Sequence, residues 1–356
     1  MIPMSTDLAS RLQQTLATIV EGFSDYFVAK LKEQYYPNSP EYIKVKNIKV
    51  EKKLGATGIH LVKVSLESDL GIDVKSIAVK IYDQKITALD VIKKIDHLMQ
   101  SLEPYHYLGI SSPGVIFFSG TILVMEGLSG EVFRQSRIPK PEKYRLAGKS
   151  LAAFHGTEEN DVWIEKYQLL ISKSIENLPI IEEEKEGILS NLFKRLQEIE
   201  QKHIKSGTVS FGDFHPGNVI FEVRIGQKPI IWTHVLDPEY LDKEKKHDRL
   251  EDICNFFAIE CVDHYRRDKG LYRFKINLKA FISGYNEIMA IKNKNLSDFY
   301  NESPPINFFL SIMILLGMIN ILSMRELYPS DEDIKKETEL RLTLIKYLLT
   351  EPKFPY

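Results

Sequence analysis

One segment, Gly207–Tyr240, limits what this chain can fold into more than any other; it reads GTVSFGDFHPGNVIFEVRIGQKPIIWTHVLDPEY. Asp213 is followed, after four residues, by Asn218, and Asp237 closes an apolar run further on. Between the last two, Val219 to Val223 reads as a strand, IGQKP as a turn, and Ile230 to Leu236 as the return strand. A hairpin brings the chain back to where it left. The pattern therefore predicts two carboxylates and an amide gathered at the hairpin mouth. An Asx-rich turn that satisfies only its own backbone would also contain Asp213 and Asn218. The hairpin with Asp237 behind it favours a chemical site.

These groups are the parts needed for metal-assisted phosphoryl transfer. A carboxylate, Asp213, orients an acceptor hydroxyl and takes its proton. Hard oxygen ligands, Asn218 and Asp237, suit a Mg2+ ion that bridges nucleotide phosphates. The D-x-x-x-x-N spacing is the one that separates base and amide ligand in kinases. With Gly212, Asp213, His215 and Asn218 in place, the segment resembles the H-G-D-x-H-x-x-N loop of the aminoglycoside phosphotransferase and choline kinase superfamily. Phe211 stands where that loop begins with His. VLDPEY, from Val235, resembles the family's metal-binding I-D-[FP]-E segment.

The chain has 356 residues, enough for about two lobes with their own cores. Its 47 basic and 49 acidic residues leave a net charge of −2, which gives no electrostatic reason to expect nucleic acid or an anionic membrane as partner. The two cysteines, Cys254 and Cys261, fall on one expected helix about 10 Å apart along its axis. That is too far for a disulfide and fits a reducing, cytoplasmic setting. No basic stretch followed by an apolar core opens the chain, so no secretory leader is expected. The histidines and cysteines lack the spacing of a zinc site.

Residues 6 to 34 read as an amphipathic helix that packs on the next lobe as an extension (1–40). Residues 41–127 read as a small β-rich lobe. Ile48 to Leu54 and Ile59 to Leu66 form strands around a Gly55-Ala56-Thr57-Gly58 turn, whose amides could lie over phosphates. In the strand Ile77 to Tyr82, Ala78 and Lys80 share a face because strand side chains alternate. Thr87 to Leu102 reads as a helix, N-capped by Thr87, with Leu89, Ile92, Ile95, Leu98 and Met99 on its apolar face. Val115 to Ser119 and Thr121 to Glu126 form a further hairpin that runs into Glu126-Gly127-Leu128.

Here too the resemblance assigns roles. It implies that Lys80 clamps the ATP phosphates, with Ala78 admitting adenine and the Glu126–Leu128 linker binding it. The family places a Glu on the helix after the lysine strand. This helix has none, so Asp96 is the nearest substitute and Asp90 the second.

Residues 128–356 read as the larger, mostly helical lobe. Glu142 to His155 resembles the family's helix ending in L-A-x-L-H, with His155 as a structural hydrogen-bonding residue. Glu182 to Lys205 is a long amphipathic helix. Asp242 to Arg249 is a polar loop before a helix from about Leu250 to Tyr265. On that helix DRLEDICNFF resembles the family's D-L-A region, where Asp252 would buttress the loop. Glu239, Glu260 and Asp263 are candidate acceptor contacts, with a lean towards a cationic acceptor. Residues 306 to 324 carry no charge and include Asn307, Asn320 and two serines, which favours a buried helix over a membrane span.

Taken whole, the resemblance implies an α+β, two-lobed protein-kinase-like fold with ATP between the lobes, and ATP- and Mg2+-dependent phosphorylation of a hydroxylated small molecule. Nothing matches the H-R-D, D-F-G or A-P-E signatures of protein kinases. A nucleotide-binding module without turnover is the rival reading, supported by the missing helix Glu and the sparse glycine turn.

Overall fold

The computed structural model describes residues 28–32, 44–54, 59–68, 71–82, 88–119, 122–156, 164–176, 178, 180–203, 207–225, 229–268, 271–292, 303–323 and 330–350. They fall into two units, Met1–Glu131 with Ile220–Leu236, and Val132–Val219 with Asp237–Tyr356.

The first unit is built on a five-stranded antiparallel sheet in the order β1-β2-β3-β6-β5. Its strands are β1 (Lys44–Leu54), β2 (Ile59–Ser68), β3 (Gly71–Ile81), β5 (Val115–Ser119) and β6 (Ile122–Glu126). Strand alternation sorts the side chains onto two faces. Val62, Val64, Leu66, Ile77, Val79 and Val124 form one buried face with Leu31. Residues 28–32 are helical, so this stretch of the expected N-terminal helix does pack on the sheet; residues 6–27 lie outside the described residues. The opposite face carries Leu123 and Tyr82, which pack with Val91, Ile92 and Ile95 of α1 (Ala88–Leu102).

The buried positions of α1 are Val91, Ile92, Ile95, Leu98 and Leu102, which corrects the expected apolar face: Leu89 is 50% and Met99 38% exposed. Both lie on the flank turned from the sheet, and Val91 and Leu102 take their place in the i, i+4, i+7 pattern. Thr87, the expected N-cap, lies outside the described residues.

The segment Ile220–Leu236 goes with the first unit because β4 (Ile110–Ser111) pairs in parallel with β10 (Ile230–Val235). The Thr233 N–H also donates to Gly109 O at 2.7 Å. The order of this second sheet is β4-β10-β9-β7, with β9 at Val219–Arg224 and β7 at Glu131–Val132. The expected division at 127/128 kept the whole hairpin in the helical lobe; its strand pairing follows β4 instead.

In the second unit α2 (Lys140–Phe154) and α6 (Tyr272–Ile291) pack backbone against backbone. A Cβ on Gly148 would stand 2.0 Å from Phe281 O, and one on Gly284 1.9 Å from Arg145 O. Only glycine allows this approach, and Arg145 reinforces it from the rim through Glu287 at 2.8 Å. The other helices are α3 (Ile164–Glu176), α4 (Glu182–His203), α5 (Arg249–Asp268), α7 (Ser303–Ser323) and α8 (Asp331–Thr350). The uncharged helix α7 packs against α3, α4, α5 and α8. Ile306, Phe308, Phe309, Leu310, Ile312, Ile314 and Leu315 are all buried, as are Asn307 and Ser311. Among the described residues no helix is long and apolar enough to cross a membrane.

The expected polar loop at 242–249 is a strand, β11 (Asp242–Asp248), antiparallel to β8 (Gly207–Ser210). Its register jumps between Asp242 and His247, so its charged middle is carried without a regular ladder. This is why the residues read as loop.

Candidate active site

In the second unit β8 leads into the Phe211–Asn218 loop. Phe211 and Phe214 are fully buried, Phe211 edge-on to Phe154 at 5.6 Å and Phe214 stacked on Phe256 at 5.3 Å. Asp213, between the two anchors, is 37% exposed at its side chain. The replacement of the loop's leading His by Phe211 therefore costs no attachment: the backbone N–H of Phe211 makes the polar contact, and the ring joins the core.

That contact goes to Asp252 on α5. Its carboxylate accepts from Phe211 N at 2.8 Å, Gly212 N at 2.9 Å and Ser210 Oγ at 3.2 Å. His155, at the end of α2, stands with Nε2 3.0 Å from Asp252 Oδ2 and Nδ1 2.7 Å from the Tyr285 hydroxyl of α6. Burial holds the His155 imidazole below its ordinary pKa although Asp252 pulls the other way. Lys292 donates to the carbonyls of Ala152, Ala153 and His155 at 2.8, 3.0 and 2.6 Å, and so fixes the end of α2. Sequence reasoning found Asp252 and His155 but not Tyr285, Lys292 or the glycine pair. Isolated glycines inside helical runs were the one available signal.

Two backbone features bring the loop to the segment after the hairpin. Gly212 has φ +81°, and a Cβ there would meet Tyr240 O at 2.4 Å. Asp237 has φ 60° and ψ 61°, left-handed, and among the described residues it is the one non-glycine with positive φ. A non-glycine residue is strained there, and such strain gathers at functional sites. Burial pushes the Asp213 carboxyl up, His215 pulls it down, and the negative charges of Asp237, Glu239 and Asp252 push it up further. The net shift is upward. Asp213 and Asp237 are thus electrostatic neighbours, as the hairpin pattern predicts. Asn218, nearly buried, donates its amide N–H to Asp213 O at 3.1 Å, so the side-chain nitrogen is the atom engaged in that bond.

The expected acceptor contacts are largely engaged. Glu260 accepts from the Tyr144 hydroxyl and from Asn277 Nδ2 at 2.5 Å, with His264 Nε2 at 3.3 Å. Asp263 accepts from Arg266 at 2.9 Å. Glu239 lies on the short turn Pro238–Tyr240 directly after Asp237.

In the first unit Lys80 is 3% exposed and lies opposite Ile59 of β2 and Leu123 of β6, on the face that α1 covers. Its Nζ is 5.3 Å from the centroid of the Tyr82 ring. Ala78, opposite Leu61 and Met125, shares that face. Asp96 is exposed on α1, and the structure does not bring it to Lys80; Asp90 is exposed as well. Gly55 and Gly58 lie outside the described residues.

The segment from Glu126 to Gly130 is pinned at several points. Glu126 N donates to Gly114 O at 2.9 Å and Gly127 N to Ser76 O at 3.0 Å, with Leu128 following. A Cβ on Gly130 would stand 2.3 Å from Phe221 O. Ser129 Oγ donates to Glu222 at 2.8 Å, Glu222 meets His234 at 3.1 Å, and His234 meets Ser111 at 2.7 Å. This chain of contacts was not legible in the sequence.

No family model matches this chain, and no curated protein matches it. Among solved structures it is similar to an ethanolamine kinase of Plasmodium vivax, at 15% identity over 97% of this chain and 95% of that one, with a TM-score of 0.51. It is also similar to a glucosamine kinase, at 11% identity over 92% of this chain and 80% of that one, with a TM-score of 0.52. The chain has the two-lobed, kinase-like α+β fold to which its loop resemblance pointed.

Proposed function

We propose that this chain transfers the γ-phosphoryl group of ATP to a hydroxyl of a small molecule. The observation that carries the reading is the Asp213 loop: a half-buried carboxylate between two buried phenylalanines, beside Asn218 and in the field of Asp237. Asp213 takes the proton of the acceptor hydroxyl as that oxygen bonds to the γ-phosphorus. The bond from the γ-phosphorus to the bridging oxygen breaks, and ADP leaves with the electron pair. A carboxyl raised by burial and negative neighbours is a stronger base than a solvated aspartate.

Asn218 and Asp237 fit Mg2+, which keeps much of its water and the nucleotide's oxygens and so needs only one or two protein ligands. Bound there, Mg2+ would neutralise charge on the phosphate oxygens. Lys80 would hold the phosphates, and the family resemblance assigns Gly55 and Gly58 to the phosphates as well; Ala78, Glu126 and Leu128 would contact adenine. Asp96 would reach Lys80 only after α1 or its own side chain moved.

The fold shared with an ethanolamine kinase and a glucosamine kinase supports a small hydroxylated acceptor. Glu260 and Asp263, already hydrogen-bonded, give no support for a cationic one. Cys254 and Cys261 are free and buried, which suits a reducing compartment, and we place the reaction in the cytoplasm.

The test is ADP release from Mg·ATP against a panel of hydroxylated metabolites and aminoglycosides that includes ethanolamine and glucosamine. Asp213→Asn should lower turnover by at least about 100-fold and leave ATP binding intact. Near-wild-type turnover by that variant would remove Asp213 as base. ATP binding without turnover in the wild type would identify a binding module.

A further inference from the structure

His215 closes a small ring of contacts beside Asp213. Its Nδ1 accepts the Gly217 N–H at 2.9 Å, and its Nε2 stands 3.6 Å from Asp213 Oδ2. An accepting nitrogen holds no proton. In the neutral imidazole the proton is therefore on Nε2, the nitrogen that faces Asp213. The tautomer is set by a backbone amide.

The local sequence is built for this placement. A Cβ at Gly217 would come within 2.6 Å of His215 Cε1 and 2.9 Å of Nδ1, so the ring folds over the amide only because residue 217 is glycine. His215 precedes a proline and is extended, with φ −142° and ψ 164°, as that position requires. Its carbonyl accepts from Asn218 N at 2.9 Å. The ring is 38% exposed, so core packing does not call for an imidazole. Starting the short Pro216–Asn218 turn calls only for an acceptor, which Asn, Asp or Ser would supply. What histidine adds is an N–H on the far edge of the ring, at the nitrogen 3.6 Å from the carboxylate.

We propose that His215 is the positioning residue for the Asp213 carboxylate: the ring, locked by Gly217, presents Nε2–H to Oδ2 and leaves Oδ1 to take the acceptor's proton. This rests on the reading of Asp213 as the base. At 3.6 Å the pair is longer than a hydrogen bond, and it closes in the reacting complex, as catalytic contacts commonly do.

Two substitutions separate this role from turn capping. Asn keeps an oxygen for the Gly217 amide but is too short to reach Asp213. Gln carries an N–H to about where Nε2 stands but gives up the turn acceptor. ADP release from Mg·ATP is measured with water, ethanolamine and glucosamine as acceptors. His215→Asn should keep the wild-type Tm and the KM for ATP while kcat falls at least about tenfold; His215→Gln should lose Tm yet recover part of kcat. A residue that only caps the turn gives the reverse order, with His215→Asn as active as wild type, and that result overturns the proposal. The 15N spectrum of the His215 ring is a readout independent of turnover: Nε2–H with unprotonated Nδ1 is expected, and an Nδ1–H tautomer overturns it. A wild type without turnover under any condition removes the base reading and this inference with it, an outcome distinct from either variant result.

Discussion

His155 Nε2 lies 3.0 Å from Asp252 Oδ2 with both side chains buried, and the same carboxylate holds the backbone amides of Phe211 and Gly212. Two helices thereby set the height of the loop that carries Asp213. Each partner depends on the other. A buried carboxylate without donors is costly, and the loop amides without an acceptor are costly too.

Asp252→Asn tests that dependence. The new amide would turn N–H groups towards N–H donors, so the variant should lose about 3 kcal/mol of stability. Turnover should fall further than unfolding explains, because a loop displaced by about 1 Å can cost two orders of magnitude in rate. The measurement is kcat at a temperature where circular dichroism shows the variant folded. A folded variant with wild-type kcat would mean that Asp252 serves stability alone.

The glycine contact behind this arrangement can be probed without touching polar groups. Gly284→Ala places a methyl 1.9 Å from Arg145 O, a backbone atom that cannot swing aside. The two helices must part, at a cost of about 2–3 kcal/mol or more. Parting them also pulls Tyr285 from His155, now at 2.7 Å. Gly187→Ala is the control, since its Cβ would meet nothing within 4 Å and the change favours the exposed helix. Equal Tm values for the two variants would contradict the close packing of α2 and α6.

Much of this arrangement was legible in the chain and some was not, for physical reasons. Asp213, Asn218 and Asp237 were singled out because short-range turn and strand chemistry gathers them, and Asp252 because DRLEDICNFF resembles the family's D-L-A region. Leu89 and Met99 were misplaced because helical periodicity gives a wide apolar stripe, and only the sheet beneath decides its centre. The strand β11 was missed because its register with β8 breaks between Asp242 and His247, leaving a charged stretch with no alternation to read. Ser129, Glu222, His234 and Ser111 were invisible because their contacts join segments far apart in sequence. Helix α7, uncharged along its length, was read correctly as buried; its interior Asn and Ser were the deciding residues.

Lys80 separates a nucleotide contact from a structural one. It is buried at 3% exposure, and burying an ammonium group is unfavourable. Methionine matches its length and carries no charge. Lys80→Met therefore removes the charge while filling nearly the same space, and circular dichroism and Tm show whether the variant folds. If Lys80 holds the phosphates, turnover should fall by about 100-fold or more and ATP affinity should weaken. Wild-type turnover in the folded variant would remove the lysine from the site. A large drop in Tm would show that its role is in the fold of the first unit.

Lys292 makes a test by pH in which the sign is unusual. Its ammonium group donates to three carbonyls at the end of α2, yet burial first, and the nearby Arg249 second, lower its pKa from 10.5 to about 8. Arg249 itself donates to Gly156 O at 3.0 Å, so two cations share one helix end. Between about pH 8 and 10.5 the unfolded chain holds this proton more firmly than the folded one. Stability contributed by this group therefore rises with pH across that window. Lys292→Met removes the titration and leaves the three carbonyls without this donor, so the variant should be less stable at pH 7. The difference in unfolding free energy between wild type and variant should then widen from pH 8 upward, although the charge on the lysine is being lost. Urea unfolding of both proteins at pH 7, 8, 9 and 10 measures it. A gap that narrows with pH would mean that the carbonyls hold the ammonium more strongly than burial and Arg249 oppose it.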